Sequence, residues 1–168
     1  MVALDGSADG RKLTIRLRDS VLFERGGAEL TPSAMDLISR LGGVLRDIGM
    51  RVAVSGHTDN TPIKSAAYRS NWYLSTARST AVIEYMIEHD AFPPQLLSAS
   101  GNADNMPIVP NDTPENRARN RRVEFVITDE GAIELPNASA PASTAESTEA
   151  ASVAVETPAA APADEVAP

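Results

Sequence analysis

Alternation of apolar and polar residues, interrupted by helix-type spacing, most limits how this chain can fold. Residues 13–17, 52–54 and 123–127 each place an apolar side chain at every second position. A period of two is typical of a strand with one buried face. A further short strand is expected at 96–99. The sequence therefore predicts four strands, each with one side turned towards a core.

Helical patterns separate these strands. Thr31 and Pro32 form a helix start, because a Thr hydroxyl caps free backbone N–H groups and Pro suits the first turn, and an apolar stripe follows. A second helix is expected over about 70–89, and Thr113-Pro114 predicts a short third one. Strands and helices alternating in this order predict an α/β (α+β) two-layer sandwich, with helices on one face of a small mixed sheet.

Composition divides the chain into three parts. Residues 1–10 are rich in Gly, Asp and Ser and are expected to form a flexible leader. Residues 11–130 contain all seven aromatic residues and are expected to form the folded domain. From residue 135 onwards the chain has 12 Ala, 5 Pro and five acids but no Lys or Arg. Such a segment buries too little apolar surface to fold, so 131–168 is expected to be a disordered, acidic, Ala/Pro-rich tail.

Charge and residue usage argue against several classes of function. The formal net charge of -8 disfavours nucleic acid as a partner, because binding phosphate requires a basic surface. The absence of Cys excludes disulfide scaffolds, thiol catalysis and Cys-ligated zinc. The chain has no apolar stretch long enough to span a membrane, and it has no phosphate loop, dinucleotide fingerprint or nucleophile elbow. We therefore expect no cofactor, no metal and no catalytic residue.

The polar turn after the second strand is the strongest candidate for a site. Asp59 follows the carboxyl end of that strand, and Arg78 lies in the next helix. Ligands of open α/β sheets bind at this end of the strands. The two side chains could form a structural ion pair, or they could bind a zwitterion, the carboxylate taking an ammonium and the guanidinium a carboxylate. Spacing does not separate these alternatives, and by itself it leaves the structural ion pair as the simpler one.

Four sequence strings, in order along the chain, resemble the OmpA-like peptidoglycan-binding domain, and the resemblance covers about residues 12–128. The strings are Val21-Leu22-Phe23 with Ala28-Glu29-Leu30, Gly56-His57-Thr58-Asp59, Asn71-x-x-Leu74-Ser75-x-x-Arg78, and Asn120-Arg121-Arg122-Val123-Glu124-Phe125. Two further stretches are similar to the flagellar stator B subunit (MotB-like) branch, whose members anchor an ion-driven motor to the cell wall. These stretches are Asp59-Asn60-Thr61-Pro62-Ile63 and Pro107-Ile108-Val109-Pro110-Asn111-Asp112.

This resemblance implies a non-catalytic domain that binds the stem peptide of peptidoglycan. The usual ligand group in the family is the free amino-acid centre of diaminopimelate, which carries one ammonium and one carboxylate. The binding Asp and Arg of the family match Asp59 and Arg78. The resemblance implies four further residues at the site. Asn71 is an amide donor, Thr58 and Leu74 line the site, and Arg122 is a second cation.

The stator branch also implies a homodimer and a stator A subunit (MotA-like) as partner, through an N-terminal membrane segment that this chain lacks. It implies a periplasmic location as part of an inner-membrane protein. A general envelope tether of the OmpA-like or lipoprotein type, outside the motor, is the alternative. A wall hydrolase would have only His57 and Asp59 as a catalytic pair. We expect His57 to be hydrogen-bonded near the site, and Trp72 either to stack on a sugar ring or to be partly buried.

Overall fold

A computed structural model describes residues 2–6, 12–63 and 65–129. Its five strands form one mixed sheet in the spatial order β1-β2-β5-β3-β4. β3 and β4 are parallel, and the other neighbouring strands are antiparallel. The predicted tail at 131–168 lies outside the described residues. The strands are β1 (Val2–Gly6), β2 (Lys12–Arg18), β3 (Arg51–His57), β4 (Leu97–Gly101) and β5 (Arg122–Thr128).

Helices α2 (Pro32–Asp47) and α4 (Pro114–Asn120) begin where the sequence signals predict. Thr31 Oγ1 accepts a hydrogen bond from the backbone N–H of Ala34, and Thr113 Oγ1 accepts one from Asn116. Both caps precede a Pro in the first turn. The helices are α1 (Asp19–Leu22), α2 (Pro32–Asp47), α3 (Asn71–Asp90) and α4 (Pro114–Asn120), with a short 3₁₀ turn at Pro94–Leu96. No helix in the described ranges is long and apolar enough to cross a membrane.

The core is mainly aliphatic and lies between one face of the sheet and the helices α2 and α3. Ile15 and Leu17 of β2 and alternate residues of β3 and β5 point into it, as their period of two predicts, whereas Leu13 at the start of β2 is 39% exposed. Burying such side chains is the main favourable term in folding. The members contributed by these strands and by the two helices include Ile15, Leu17, Ile38, Val52, Val54, Val82, Met86, Val123, Phe125 and Ile127.

The buried face of α3 differs from the one expected. Apolar spacing predicts that Ala77 and Ala81 lie in the core, but both are only half-buried. Ser75 and Ser79 are fully buried instead. Their short side chains allow α3 to lie close against the sheet, and their hydroxyls are hydrogen-bonded, Ser79 to the carbonyl of Thr76 at 2.9 Å. Close packing between backbones therefore outweighs side-chain hydrophobicity on this face.

Two local expectations were wrong. Within the leader predicted to be flexible, residues 2–6 form strand β1, which pairs with β2 along its whole length. The sequence of residues 19–30, with Gly26 and Gly27, predicts a loop, but the chain there forms α1 before the isolated bridge between Phe23 and Leu30. Neither segment has a long periodic pattern in its sequence. β1 has five residues and depends on pairing with β2, and α1 is a single turn of four residues.

Candidate functional site

A cavity of about 800 Å³ lies at the end of the sheet where β3 ends and α3 begins. It is bounded by α1, by the polar turn after β3 and by the first half of α3. Asp59 and Arg78, the two residues of the predicted site, both line it. Three of the other four residues implied at the site line it as well, and these are Thr58, Asn71 and Leu74.

Arg78 is held from three sides. Asn71, Leu74 and Arg78 lie three and four residues apart in α3, so they share one helix face. The Nη1 group of Arg78 donates to Asp19 Oδ2 at 3.2 Å, and its Nε donates to the carbonyl of Gly27 at 2.9 Å. The guanidinium also lies over the ring of Phe23, 5.1 Å from its centroid. Burial lowers the pKa of Arg78 and Asp19 counteracts this, so the group remains a cation.

Asp59 is a buried carboxylate with a donor on each oxygen. Its Oδ1 accepts from the backbone N–H of Thr61 at 2.8 Å, and its Oδ2 accepts from Arg121 Nη1 at 2.6 Å. Burial raises the pKa of Asp59. The hydrogen bonds from Arg121 and Thr61 lower it by more than burial raises it, so the net pKa lies below its ordinary value. The carboxylate is therefore ionised at neutral pH and can hold a cation.

The two predicted partners are connected indirectly. In the part of the chain that the structure describes, Asp59 and Arg78 form no ion pair with each other. Arg121 lies between them, because it contacts Asp59 through Nη1 and Asp19 through Nε, at 2.6 and 3.4 Å. Asp19 in turn contacts Arg78. We call these four residues, Asp59, Arg121, Asp19 and Arg78, the ion-pair array; their charges alternate in sign along it.

Asn71 supports the polar turn. Its Nδ2 donates to the carbonyls of Asp59 and Thr61 at 3.2 and 3.1 Å, and its Oδ1 accepts from the N–H of Ile63 at 3.3 Å. Both N–H groups of the Asn71 side-chain amide therefore donate to backbone carbonyls, whereas the resemblance implies that this amide donates to a ligand. The geometry makes Asn71 a positioning residue for Asp59.

Thr58 and Leu74 give the cavity one polar and one apolar wall. The backbone N–H of Thr58 donates to the carbonyl of Ala103 at 2.9 Å. Its hydroxyl is buried and finds no hydrogen-bond partner within the described ranges. A buried hydroxyl without a partner is unfavourable, and this oxygen has almost no accessible surface, so it is not presented to the cavity.

Arg122 does not reach the cavity. Its guanidinium donates to Glu124 at 2.7 Å and to the carbonyls of Asn120 and Met106, on the far side of the sheet from the helices. The residue before it, Arg121, lines the cavity instead. Arg121 and Asp19 were not predicted at the site, and neither were Glu24 and Arg25, which also line the cavity.

His57 and Trp72 also lie outside the cavity. His57 is 3% exposed, and neither ring nitrogen has a hydrogen-bond partner among the described residues, contrary to expectation. Burial first, and then the nearby Arg122, lower the pKa of His57 to about 4, so the ring is neutral near pH 7. Trp72 is 53% exposed on the outer side of α3.

Comparison with known proteins gives the family. The profile of the OmpA family matches residues 22–121. Motility protein B of Bacillus subtilis is 36% identical over 73% of this chain and 47% of its own length. Peptidoglycan-binding protein ArfA of Mycobacterium tuberculosis is 32% identical over 64% of this chain and 32% of its own length. The chain spans about half of the length of the first curated relatives that it matches.

Solved structures agree with this match. The cell wall anchor of the T6SS from Pseudomonas aeruginosa superposes with a TM-score of 0.70 at 32% identity, covering 76% of this chain and 87% of that one. The periplasmic domain of Helicobacter pylori MotB gives a TM-score of 0.68 at 27% identity, covering 76% and 82%. These similarities confirm both the predicted fold class and the resemblance to MotB-like domains. The chain belongs to the OmpA family.

Proposed function

We propose that this domain binds peptidoglycan through the free amino-acid centre of diaminopimelate in the stem peptide, and that the cavity is the binding site. The observation that carries the proposal is that one cavity contains an ionised Asp59 and a charged Arg78. A zwitterionic centre supplies the complementary ammonium and carboxylate. The relatives named as a cell wall anchor and as a peptidoglycan-binding protein support peptidoglycan as the partner.

Each lining group has a separate task in this proposal. Asp59 binds the ammonium, and Arg78 binds the carboxylate, which a guanidinium can contact through two N–H groups. Thr58 and Leu74 line the cavity, and Leu74 packs against the methylene chain of the ligand. Arg122 has no role in this proposal, because it is not among the residues that line the cavity.

No step in this function is catalytic. Domains of the OmpA family, MotB-like ones included, are non-catalytic, and this chain is a non-catalytic domain. The wall-hydrolase alternative also lacks its catalytic pair, because His57 is not among the residues that line the cavity.

The biological role that we propose is to anchor a flagellar stator complex to the cell wall. The relatives named Motility protein B and MotB support it. In this role the domain lies in the periplasm as a homodimer, and the full protein is held in the inner membrane with a stator A subunit. The second candidate is a general envelope tether, which is favoured by the similarity to an anchor of the T6SS and to ArfA.

Binding to purified sacculi, and calorimetric titration with the tripeptide L-Ala-γ-D-Glu-meso-diaminopimelate, test the ligand. Asp59→Asn and Arg78→Gln are each expected to weaken tripeptide binding by roughly 2–5 kcal/mol, since each leaves a desolvated charge without its partner. Arg119→Gln is the matched control, because Arg119 is exposed and lies outside the cavity. Wild-type affinity in both Asp59→Asn and Arg78→Gln would refute the site.

Purification of the full-length protein from membranes tests the role. Co-purification of a stator A subunit and loss of swimming on deletion are expected for the motor. Normal swimming together with detachment of another envelope complex from the wall would favour the general tether.

A further inference from the structure

The groups that contact Asp59 and Arg78 belong to the domain itself. Arg121 Nη1 lies 2.6 Å from Asp59 Oδ2, and Asp19 Oδ2 lies 3.2 Å from Arg78 Nη1. Arg121 and Asp19 thus present one cation to the carboxylate and one carboxylate to the guanidinium. These are the same two charges that a free amino-acid centre presents.

We propose that Asp19 and Arg121 act as an internal competitor for the ligand, so that binding is an exchange of ion pairs and these two residues set affinity and charge selectivity. The proposal rests on the function proposed above. In the exchange, the ammonium of the ligand replaces Arg121 on Asp59, and its carboxylate replaces Asp19 on Arg78.

The occupancy of Asp59 makes exchange necessary. Only 8% of its side chain is exposed, and each of its oxygens already accepts a hydrogen bond. The bond from Thr61 comes from the backbone of the turn, which Asn71 holds in place. Arg121 is therefore the partner that an incoming ammonium replaces.

The exposure of the two guanidinium groups differs in the way that exchange requires. The side chain of Arg78 is 4% exposed and is fixed by Gly27 and Phe23, whereas 37% of the side chain of Arg121 is exposed. Arg121 and Asp19 also contact each other at 3.4 Å. When a zwitterion displaces both from Asp59 and Arg78, they keep each other as partners. A complete exchange therefore leaves no charge of the ion-pair array unpaired.

This arrangement predicts how each competitor affects ligands of different charge. Removing the cation of Arg121 should help any ligand that brings an ammonium to Asp59. Removing the carboxylate of Asp19 should help only a ligand that brings a carboxylate to Arg78. The tripeptide with meso-diaminopimelate carries both groups on its free centre, whereas the same tripeptide with L-lysine in that position carries only the ammonium there.

Calorimetric titration of both tripeptides, at fixed ionic strength, tests this selectivity. Arg121→Gln is expected to bind both tripeptides roughly two- to fivefold more tightly than wild type, the factor that a partly exposed ion pair can supply. Asp19→Asn is expected to bind only the diaminopimelate tripeptide more tightly. Arg119→Gln and Asp47→Asn carry the same changes of charge at exposed positions and correct for long-range electrostatics.

Circular dichroism melting of each variant shows whether it is folded at the titration temperature, and Arg121→Lys, which keeps the cation, should bind close to wild type. Equal or weaker binding by folded Arg121→Gln, with wild type binding normally, would overturn the competitor role and leave the proposed function intact. Absence of binding in wild type and in every variant would overturn both.

Discussion

Gly56 of β3 lies directly against the backbone carbonyl of Ser75 in α3, so a Cβ atom at position 56 would come within 2.1 Å of that oxygen. Gly101 of β4 faces Thr76 in the same way, because a Cβ atom at position 101 would lie 2.5 Å from the backbone nitrogen of Thr76. Backbone cannot move aside as a flexible side chain can. The two glycines thus allow α3 to lie on the sheet at the distance that brings Asn71 and Arg78 to the cavity.

Gly56→Ala is therefore expected to destabilise the domain by about 3 kcal/mol, the upper part of the usual range for overpacking. Gly43→Ala in α2 is the control, because no atom lies within 4 Å of a Cβ there. That change should stabilise the domain by about 0.5–1 kcal/mol through helix propensity. Urea unfolding followed by circular dichroism measures both, and an unchanged midpoint for Gly56→Ala would contradict the close contact.

Acid is expected to destabilise the domain through His57. Its pKa is about 4 in the folded state, against 6.5 for the ordinary group, because of burial and of Arg122, with Arg16 adding to the effect and Glu124 opposing it. Between these values the unfolded chain binds a proton that the folded chain does not, so stability falls as the pH drops from 6.5 to 4. The loss is on the order of 3 kcal/mol.

The carboxylates affect a lower pH range. Asp59 and Glu124 have pKa values below their ordinary 3.8 and 4.5, so their contribution is present above those values and is lost only as the pH falls through the folded pKa. Urea unfolding of wild type and His57→Gln between pH 4.5 and 7 therefore isolates the histidine. The variant should show a much flatter dependence on pH, and a slope equal to that of wild type would exclude His57 as its source.

Asn71→Ala is expected to weaken tripeptide binding about tenfold, because the turn that carries Asp59 loses three hydrogen bonds worth roughly 0.5–1.5 kcal/mol each. Amide hydrogen exchange separates this positioning role from direct contact with the ligand. The N–H of Ile63, which donates to Asn71, should exchange faster in the variant without ligand. Asn116→Ala in α4 is the control, and unchanged exchange at Ile63 would indicate that Asn71 acts on the ligand alone.

Much of the fold follows from local signals in the sequence. The caps at Thr31 and Thr113 predict where α2 and α4 begin. The period of two predicts most of the buried apolar residues of β2, β3 and β5, but not the exposure of Leu13 or the burial of Arg122. β1 carries no such signal, because residues 3–6 are exposed and the strand depends on pairing with β2. The buried serines of α3 could not be predicted, since their burial depends on glycines in two distant strands.

The alternation of β5 explains why Arg121 and not Arg122 lines the cavity. Arg122 shares its side of β5 with Glu124, and that side faces away from the helices. Arg121 precedes it by one position and therefore has the same parity as the buried Val123. Asp19 follows β2 as the first residue of α1, so strand alternation does not predict the direction of its side chain. Alternation thus points only Arg121 towards the helix side, and the pairing of β2 with β5 brings Asp19 beside it.

The position of β5 has a consequence for synthesis of the protein. β5 is the last of the described strands in sequence, yet it is the middle strand of the sheet and the only link between the β1–β2 pair and the β3–β4 pair. A nascent chain that ends before residue 121 has neither this link nor Arg121. Among the described strands, both the sheet and the ion-pair array therefore become complete only after β5 and the residue before it have been synthesised.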